Sequence, residues 1–255
     1  MRVRSGSRRW LIGALALLVL GGMVVLVINV SDDPRIINHG PRNRPEVALT
    51  FDADMTRAMA ARLSSGQVKS YYDPAIVREL QETRTPATFF VTGLWAMTYP
   101  GVVRLLAGDP LFEVENHSVD HAAFTANCFG LPVIASENLK RWQIARTATV
   151  LRETAGVTSR YFRFPGGCHE HGDVRIVRSL RHHAIGWDVV SGDAFESDPA
   201  VIVRNVLEHT QPGAIIVMHV NGAPHAPGTA SALRTLIPAL RARGLRFVTL
   251  HELLS

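Results

Sequence analysis

The sequence predicts an α/β protein and, within that class, a barrel of parallel strands surrounded by helices. The chain has 255 residues, 47% of them apolar, which is enough for one large core. After residue 45, β-rich runs alternate with stretches of helical periodicity in seven units over about 210 residues. Polar residues suited to catalysis follow the ends of most of these runs. Seven units of this length favour one barrel over two separate domains.

Residues 1 to 30 are predicted to anchor the chain in a membrane. Four arginines within the first nine residues precede an uncharged apolar run from Trp10 to Ile28. As a helix, at about 1.5 Å per residue, this run matches a hydrocarbon core of about 30 Å. The arginines before it and Asp32 and Asp33 after it place its N-terminus in the cytoplasm. We therefore expect an uncleaved anchor with the remaining residues outside the cytoplasm, and a cleaved signal peptide is the alternative.

Residues 31 to 45 are predicted to be a linker, because Pro34, Pro41 and Pro45 interrupt them and no apolar period is present. The predicted catalytic domain then covers residues 46 to 255.

The charge of this domain excludes nucleic acid as a partner. Once the N-terminal arginines are set aside, the basic residues nearly balance the 22 acidic ones, so the fold has no positive excess for phosphates. Nothing in the sequence predicts an oligomeric state.

Seven runs rich in β-branched and aromatic residues are the predicted strands. They are Glu46–Asp52, Ala87–Val91, Leu111–Glu115, Tyr161–Phe164, Ala184–Val190, Ala214–Met218 and Arg246–Thr249. Two helices between them have readable limits. Ser136 is a suitable N-cap and Gly156 a stop signal for one helix. Pro238 should kink or shorten another helix, which ends near Gly244.

The residues that suggest chemistry follow the strands in order. They are Asp52 and Asp54 at the end of the first strand, His117 and His121 after the third, Arg163 at the end of the fourth, Asp188 and Asp193 in and beyond the last residues of the fifth, and His219 at the end of the sixth. In a βα barrel these strand ends share one face, so the side chains can converge. Two imidazoles and a carboxylate can hold a divalent cation with positions open for water and a substrate carbonyl. The two histidines, four residues apart, would share a face if the chain is helical there.

Five ordered motifs resemble the polysaccharide deacetylases, carbohydrate esterase family four. They are TFDAD at residues 50 to 54, HSVDH at 117 to 121, RFPGG at 163 to 167, the segment from Trp187 to Asp193, and VMH at 217 to 219. TPATFFVTG at residues 85 to 93 also looks like that family. The resemblance, over residues 45 to 255, implies a distorted (β/α)7 barrel. It further implies a metal-dependent hydrolase that removes acetyl groups from N-acetylated or O-acetylated cell-envelope polysaccharide such as peptidoglycan. Zinc is the expected metal, with cobalt and nickel as alternatives.

The resemblance also implies a role for each matching position. The predicted metal ligands are Asp54, His117 and His121. The predicted reacting groups are Asp52 as general base with Arg163 to orient it, His219 as general acid, and a backbone N–H of Gly166 or Gly167 for the oxyanion. Tyr is usual in the family where Gly166 stands. His219 needs a carboxylate partner, for which we prefer Asp193 to Asp188.

The first motif departs from the family, in which a base and a metal ligand are adjacent aspartates. Here Ala53 occupies the second place. If the strand continues, Asp52 and Asp54 point to the same side and can still share a site. We interpret Asp52 as the base and Asp54 as the ligand. In one alternative Asp52 itself binds the metal and another group activates water. In the other, Asp54 is only a turn residue and the metal is held weakly.

Three features stay open. Cys128 and Cys168 lie in loops on the predicted catalytic face, and an exported domain would permit a disulfide between them, although two free thiols fit equally well. The run from Cys168 to His171 could contact substrate or be solvated. His225, in a loop rich in glycine and proline, is a candidate for substrate contact.

Two other functions compete with hydrolysis. A membrane-anchored glycan-binding module with a degenerate metal site would explain Ala53. A non-haem iron oxygenase would use the same set of two histidines and one carboxylate. Metal content and acetate release from an acetylated glycan would distinguish them.

Overall fold

Strands are followed by one or two helices through most of residues 35 to 255, the part of the chain that the computed structural model describes. The strands are β1 (Glu46–Ala53), β2 (Ala87–Val91), β3 (Phe112–Asn116), β4 (Tyr161–Phe162), β5 (His183–Ala184), β6 (Val189–Val190), β7 (Ile215–His219) and β8 (Arg246–Phe247). The helices are α1 (Arg57–Ser64), α2 (Pro74–Glu82), α3 (Gly93–Thr98), α4 (Pro100–Gly108), α5 (Glu137–Ala155), α6 (His171–Ser179), α7 (Pro199–His209), α8 (Thr229–Ala242) and α9 (Leu250–Leu253).

The predicted membrane span from Trp10 to Ile28 lies outside the described residues. Among residues 35 to 255, no helix has the length and apolar character needed to cross a bilayer.

All strand pairings are parallel, and β1 lies near the centre of the sheet. The order is β5-β4-β3-β2-β1-β7-β6, and β8 pairs with the first two residues of β1. Parallel strands joined through helices confirm the predicted α/β class. In such a sheet the carboxyl ends of neighbouring strands lie side by side, which brings the loops after β1, β3, β4 and β7 together.

The two edge strands come from one short segment. The predicted strand Ala184–Val190 is wrong in its middle, because only its ends pair, β5 with β4 and β6 with β7. Between them the Gly186 N–H donates to the Ile37 carbonyl, and the Gly186 carbonyl accepts from Arg163. The N–H and carbonyl of Gly186 therefore bond groups outside the sheet and do not pair with a neighbouring strand. The curved sheet is a half-barrel of parallel strands, with one segment reaching both of its edges.

Two other strands are shorter than predicted. β4 stops at Phe162, because a tight 3-10 turn at Pro165–Gly167 follows shortly afterwards. β8 stops at Phe247, because Thr249 already caps α9 by accepting a hydrogen bond from the Glu252 N–H.

The two faces of β1 have different neighbours. Leu49, Phe51 and Ala53 belong to the apolar layer between the sheet and the helices. Ala48 belongs instead to the cluster inside the curve of the sheet. Because side chains alternate along a strand, Asp52 shares the inner face with Ala48. The outward position of Ala53 explains how an apolar residue fits between two aspartates.

The helix limits largely follow the sequence signals. α5 begins after Ser136, whose side chain accepts from the Leu139 N–H, and it ends at Gly156 with φ of 69°. Both limits confirm the prediction. α8 continues through Pro238 to Ala242 instead of ending early, because its apolar stripe is buried on both sides of the proline.

The second half of the predicted linker is attached to the sheet. Ile37 forms a parallel bridge with Ile185, and His39 forms an antiparallel bridge with Ala214. The Gly40 N–H donates to the Gly213 carbonyl at 2.8 Å. From Ile37 onward, this segment therefore packs on the domain and is not a free tether.

Candidate metal centre and active site

Two carboxylates lie at the carboxyl end of β1. Asp52 is in register with His219 of β7, and Asp54 follows the strand directly. Both side chains are buried. Oδ2 of Asp52 and Oδ1 of Asp54 are 3.6 and 3.4 Å from Nε2 of His117. The two carboxylates therefore share a site, as expected from their spacing.

His117 and His121 reach this site from the loop after β3. The loop is not helical, so the sequence argument for a shared helix face is wrong. Instead, Ser118 and His121 have φ of 69° and 55°, and these left-handed turns bring the two rings within 4.9 Å. The His117 Nδ1 bonds the Arg163 carbonyl at 2.9 Å, which leaves its Nε2 facing the carboxylates. The His121 Nε2 lies 3.3 Å from Asp54 Oδ1.

The donor set of Asp54, His117 and His121 fits a divalent cation. Asp54 Oδ1 and His117 Nε2 are buried without a hydrogen-bond partner among the described residues. One ligand atom from each of the three residues lies within 4.8 Å of the others. Tetrahedral ligands at about 2.1 Å from a metal are about 3.4 Å apart, close to the separations seen here. The polar atoms that lack partners are thus the ones that a cation would bind.

The pKa shifts of Asp54 and His121 suit this interpretation, whereas that of His117 favours its charged form while no cation is bound. Burial would raise the pKa of Asp54, but the surrounding histidines, His121 foremost, hold it well below its usual range. Burial lowers the pKa of His121 to about 4 despite the nearby Asp54 carboxylate. Burial opposes charge on His117 as well, but Asp52 and Asp54 outweigh it and raise the pKa. An ionised carboxylate and a neutral imidazole are the forms that bind metals.

Arg163 holds Asp52. Its Nη1 donates to Asp52 Oδ1 at 2.7 Å, and its Nη2 donates to the Gly186 carbonyl at 3.2 Å. The guanidinium lies 4.1 Å from the centre of the Phe90 ring and 5.4 Å from that of Trp187. Burial lowers the pKa of Arg163, and Asp52 offsets part of this effect. A guanidinium stays protonated even when it is buried, so Asp52 has a permanently charged partner on Oδ1. Its Oδ2 does not bond Arg163.

His219 is paired with Asp193 and not with Asp188. Its Nδ1 lies 2.8 Å from Asp193 Oδ1, and its backbone N–H donates to Asp193 Oδ2 at 2.8 Å. Thr229 Oγ1 donates to the same carboxylate at 2.6 Å. Asp188 instead accepts hydrogen bonds from Arg42 and from the Ile215 N–H.

The environment of His219 favours its charged form. Burial opposes charge, but Asp193, with smaller contributions from Asp54 and Asp52, raises the pKa of His219 to about 10. Burial would raise the pKa of Asp193, yet His219 lowers it below its ordinary value. The imidazole therefore carries a proton with Nε2 directed towards Asp54.

His225, for which the sequence indicates only a candidate substrate contact, lies beside Asp54 at the site. Its Nε2 lies 3.3 Å from Asp54 Oδ2, and its ring is 5.3 Å from that of His219. A usable signal was present, because His225 follows the strand-end His219 by six residues on the same edge of the sheet. A loop rich in glycine and proline has no periodic pattern, so the sequence does not predict where the His225 side chain points.

Gly166 and Gly167 differ in what they can do. The Gly167 N–H donates to the Phe164 carbonyl at 2.8 Å, and Gly167 is not among the residues that line the cleft. The Gly167 N–H is therefore already used within the turn. Gly166 lines the cleft with φ of 62°. A Cβ on Gly166 would lie 2.7 Å from Cys128 Sγ, so a side chain such as tyrosine has no room there.

The structure joins Cys128 and Cys168 in a disulfide. This bond links the loop after His121 to the turn that carries Gly166. Two other polar residues of the predicted cluster, His169 and Glu170, have partners outside the cleft. His169 stacks on Phe164 at 5.0 Å and bonds the Gly167 carbonyl, and Glu170 accepts from Thr125. Neither lines the cleft.

The site opens into a cleft of about 460 Å³ with apolar walls. Phe129 and Phe195 stand at its rim, 69% and 81% exposed, with their ring centroids 5.8 Å apart. Trp187, Leu131 and Met59 also line it. Exposed aromatic rings beside polar catalytic groups form a surface on which a sugar ring can stack.

A comparison with known proteins identifies related sequences. The sequence profile of the polysaccharide deacetylase family matches residues 39 to 185. A peptidoglycan-N-acetylglucosamine deacetylase of Bacillus cereus is 28% identical over 214 residues, covering 84% of this chain and 70% of the relative. A chitooligosaccharide deacetylase of Rhizobium leguminosarum bv. phaseoli is 27% identical over 229 residues, covering 84% of this chain and 91% of the relative.

Solved structures share the fold. A CE4 family pseudoenzyme from Bacillus anthracis matches with a TM-score of 0.71 at 26% identity, covering 87% of this chain and 69% of that chain. A family 4 acetyl xylan esterase from Clostridium thermocellum, solved with a cobalt ion, matches with a TM-score of 0.63 at 26% identity, covering 81% of this chain and 89% of that chain. The similar structures thus include a metal-bound esterase and a pseudoenzyme.

Proposed function

Because the chain belongs to the polysaccharide deacetylase family, we propose that it is a metal-dependent hydrolase that removes acetyl groups from N-acetylated or O-acetylated cell-envelope polysaccharide. One observation carries this proposal. Asp54, His117 and His121 form a cation-binding set, and the Asp52–Arg163 and His219–Asp193 pairs flank it at the base of an open cleft. A hydrolase of this type needs a base, an acid and a metal-binding set within reach of one carbonyl.

Asp54, His117 and His121 would hold the cation. Zinc is the first choice for two imidazoles and a carboxylate, and cobalt or nickel would suit the same donors. When bound, the cation would polarise the acetyl carbonyl and lower the pKa of water in its open position. The fixed Nδ1 bond of His117 to the Arg163 carbonyl supports this arrangement, because it sets which imidazole nitrogen faces Asp54.

Asp52 would act as the base. Its Oδ1 is held by Arg163, and its Oδ2 is directed towards the histidines. Arg163 therefore fixes the carboxylate's orientation and leaves one oxygen to take a proton from the attacking water. The backbone N–H of Gly166, at the wall of the cleft, is the candidate donor to the carbonyl oxygen as negative charge develops on it.

His219 would act as the acid. Asp193 binds its Nδ1, so the Nε2 proton is the one available to the departing amine or alcohol. Thr229 and the His219 N–H occupy the other oxygen of Asp193, which keeps the carboxylate in place. Asp193 is a positioning residue in this scheme.

The substrate is proposed to be an acetylated polysaccharide such as peptidoglycan. The named activities of the relatives support this class, since one acts on peptidoglycan N-acetylglucosamine and another on chitooligosaccharide. Phe129 and Phe195 offer a stacking surface for a neighbouring sugar. The apolar walls suit the methyl group of an acetyl substituent.

We also propose that residues 10 to 28 anchor the chain, with the cleft outside the cytoplasm, where such a polysaccharide would be found. An enzyme reporter fused after Ser255 is expected to show its activity outside the cytoplasm. Activity of the reporter in the cytoplasm would contradict the proposed location.

A glycan-binding module without catalysis is the second candidate, because one similar structure is a pseudoenzyme and Ala53 replaces an acidic residue of the family motif. Asp54 favours catalysis, since its carboxylate reaches both histidines from the next position along the chain. The oxygenase alternative gains no support from the acid and base pairs around the site.

Acetate release decides between these functions. The full chain, stripped with a chelator, is supplied with zinc and incubated with peptidoglycan, chitin oligomers and acetylated xylan. We expect zinc-dependent release from at least one substrate and loss of release in His117→Ala. Glycan binding without release by the zinc-loaded chain would favour the binding module.

A further inference from the structure

Asp54 faces a second set of ligand atoms with its other oxygen. Its Oδ2 lies 3.3 Å from His225 Nε2 and 3.7 Å from His219 Nε2, whereas Oδ1 faces His117 and His121. The ligand atoms of Asp54, His219 and His225 all lie within 4.8 Å of one another. We propose that these three residues form a second, inhibitory site for a divalent cation such as zinc, which shares the Asp54 carboxylate with the first site.

The nitrogen atoms are oriented for this role. Asp193 occupies the Nδ1 of His219, so the Nε2 is the nitrogen left to face Asp54. The Nε2 of His225 is buried without a hydrogen-bond partner among residues 35 to 255. An imidazole nitrogen that lies near a carboxylate oxygen, with no donor or acceptor bound, is a suitable ligand for a borderline cation.

The loop that carries His225 is built onto the strand that carries Asp54. The Asn221 side chain accepts from the Asp54 N–H at 3.1 Å and donates to the Asp54 carbonyl at 2.7 Å. The His225 N–H then closes a turn onto the Gly222 carbonyl at 2.8 Å. The Asn221 side chain and the turn at His225 thus fix the position of His225 relative to Asp54 through hydrogen bonds, as a preformed ligand site requires.

Charge sets the order in which the two sites fill. Three buried carboxylates, those of Asp52, Asp54 and Asp193, lie at the site. Their cationic partners are the guanidinium of Arg163 and the imidazolium of His219, so one negative charge is left over. A first divalent cation balances this excess of negative charge. A second must bind beside the first and share one carboxylate, so the second site is the weaker one.

Occupation of the second site would remove the acid. A cation on Nε2 of His219 takes the position of the proton that the departing group needs. This consequence rests on the proposed function, but the binding of a second cation does not. Excess zinc is therefore expected to inhibit an enzyme that one equivalent of zinc activates.

Zinc stoichiometry tests the proposal. The full chain is stripped with a chelator and dialysed against increasing zinc chloride, and bound zinc is measured by elemental analysis. We expect the chain to saturate at two zinc ions, the second at least tenfold weaker than the first. His225→Gln should saturate at one zinc, and acetate release by this variant should not fall at the excess that inhibits the native chain.

Two variants serve as controls. His121→Ala should lose the tighter zinc and retain one weaker equivalent, because the second set is intact. His209→Gln changes an exposed histidine on α7 and should retain both. Saturation of the native chain at one zinc, or of His225→Gln at two, would overturn the proposal. The number of zinc ions bound by the native chain tests the second site even if a variant fails to fold or if no substrate releases acetate.

Discussion

Arg163 donates a hydrogen bond of 2.7 Å from its Nη1 to Oδ1 of Asp52, and both side chains are buried. Asp54, two residues later, instead lies among four histidine nitrogens. The two carboxylates therefore have different partners, although they are only two residues apart and both reach the same site. Their substitutions should consequently differ in effect.

Asp54→Asn is expected to lose both bound zinc and acetate release, because it removes one of three ligands. Asp52→Asn is expected to retain zinc and to lower kcat about a hundredfold or more, because it removes the base and leaves the ligands. Elemental analysis and steady-state kinetics on the zinc-loaded protein measure both effects. Loss of zinc in Asp52→Asn together with retention in Asp54→Asn would reverse the assignment.

Asp193→Asn is expected to retain zinc and to lower kcat by about a hundredfold, because an amide cannot stabilise the charged imidazole of His219. KM should change little, since Asp193 binds His219 and not the substrate. Asp188→Asn is the matched control, because Asp188 contacts Arg42 and the Ile215 N–H. An equal loss of kcat in Asp188→Asn with normal folding would show that the pairing of His219 is misassigned.

Glu115 makes folding stability depend on pH. Burial, assisted by the nearby Glu113, raises the pKa of Glu115 well above its usual value. Its Oε2 accepts from the N–H groups of Arg160 and Tyr161. Since the folded state keeps this proton to a higher pH than the unfolded state, stability is greatest below the unfolded pKa and falls as pH rises through the folded pKa.

Glu115→Gln should therefore match the native chain near pH 4 and exceed it in stability near pH 8. In the window between the unfolded and folded pKa values the difference should grow by at most about 1.4 kcal/mol per pH unit. Urea unfolding at a series of pH values measures it. Glu208→Gln, at an exposed position of α7, should give no such slope. A pH-independent difference for Glu115→Gln would contradict the argument.

The disulfide should contribute both stability and substrate affinity. It closes a separation of 40 residues, for which chain entropy predicts a loss of at most about 4 kcal/mol in Cys128→Ser/Cys168→Ser. Phe129, next to Cys128, should lose its fixed position at the cleft rim, so KM should rise more than kcat falls. Denaturation and kinetics test this, and intact mass after alkylation shows whether the native thiols are joined. Two freely alkylated cysteines in the native, unreduced chain would reject the bond.

The sequence was sufficient for the α/β class and for the strand ends that carry the site. Strand periodicity and the order of the motifs located Asp52, His117, Arg163 and His219, because each lies where an apolar run ends. The capping signals at Ser136 and Gly156 also gave the limits of α5. These are local features that depend on residues close in sequence.

Features that depend on distant residues were not predictable. The break between β5 and β6 depends on Ile37, about 150 residues earlier, and on Arg163. The position of His225 depends on how Asn221 bonds to the backbone of Asp54. The close approach of His117 and His121 depends on left-handed residues that periodicity does not reveal.

The length of β1 has a consequence for how inactive members of a family are identified. β1 runs to Ala53, whose side chain packs with the helix layer, and the acidic group that reaches the histidines comes one residue later. A column-by-column alignment would score the second family aspartate as missing and would class the chain as inactive. The residue at which the strand ends decides which carboxylate reaches the histidines. Loss of activity should therefore be inferred from the distance between carboxylate and imidazole and not from a single aligned position.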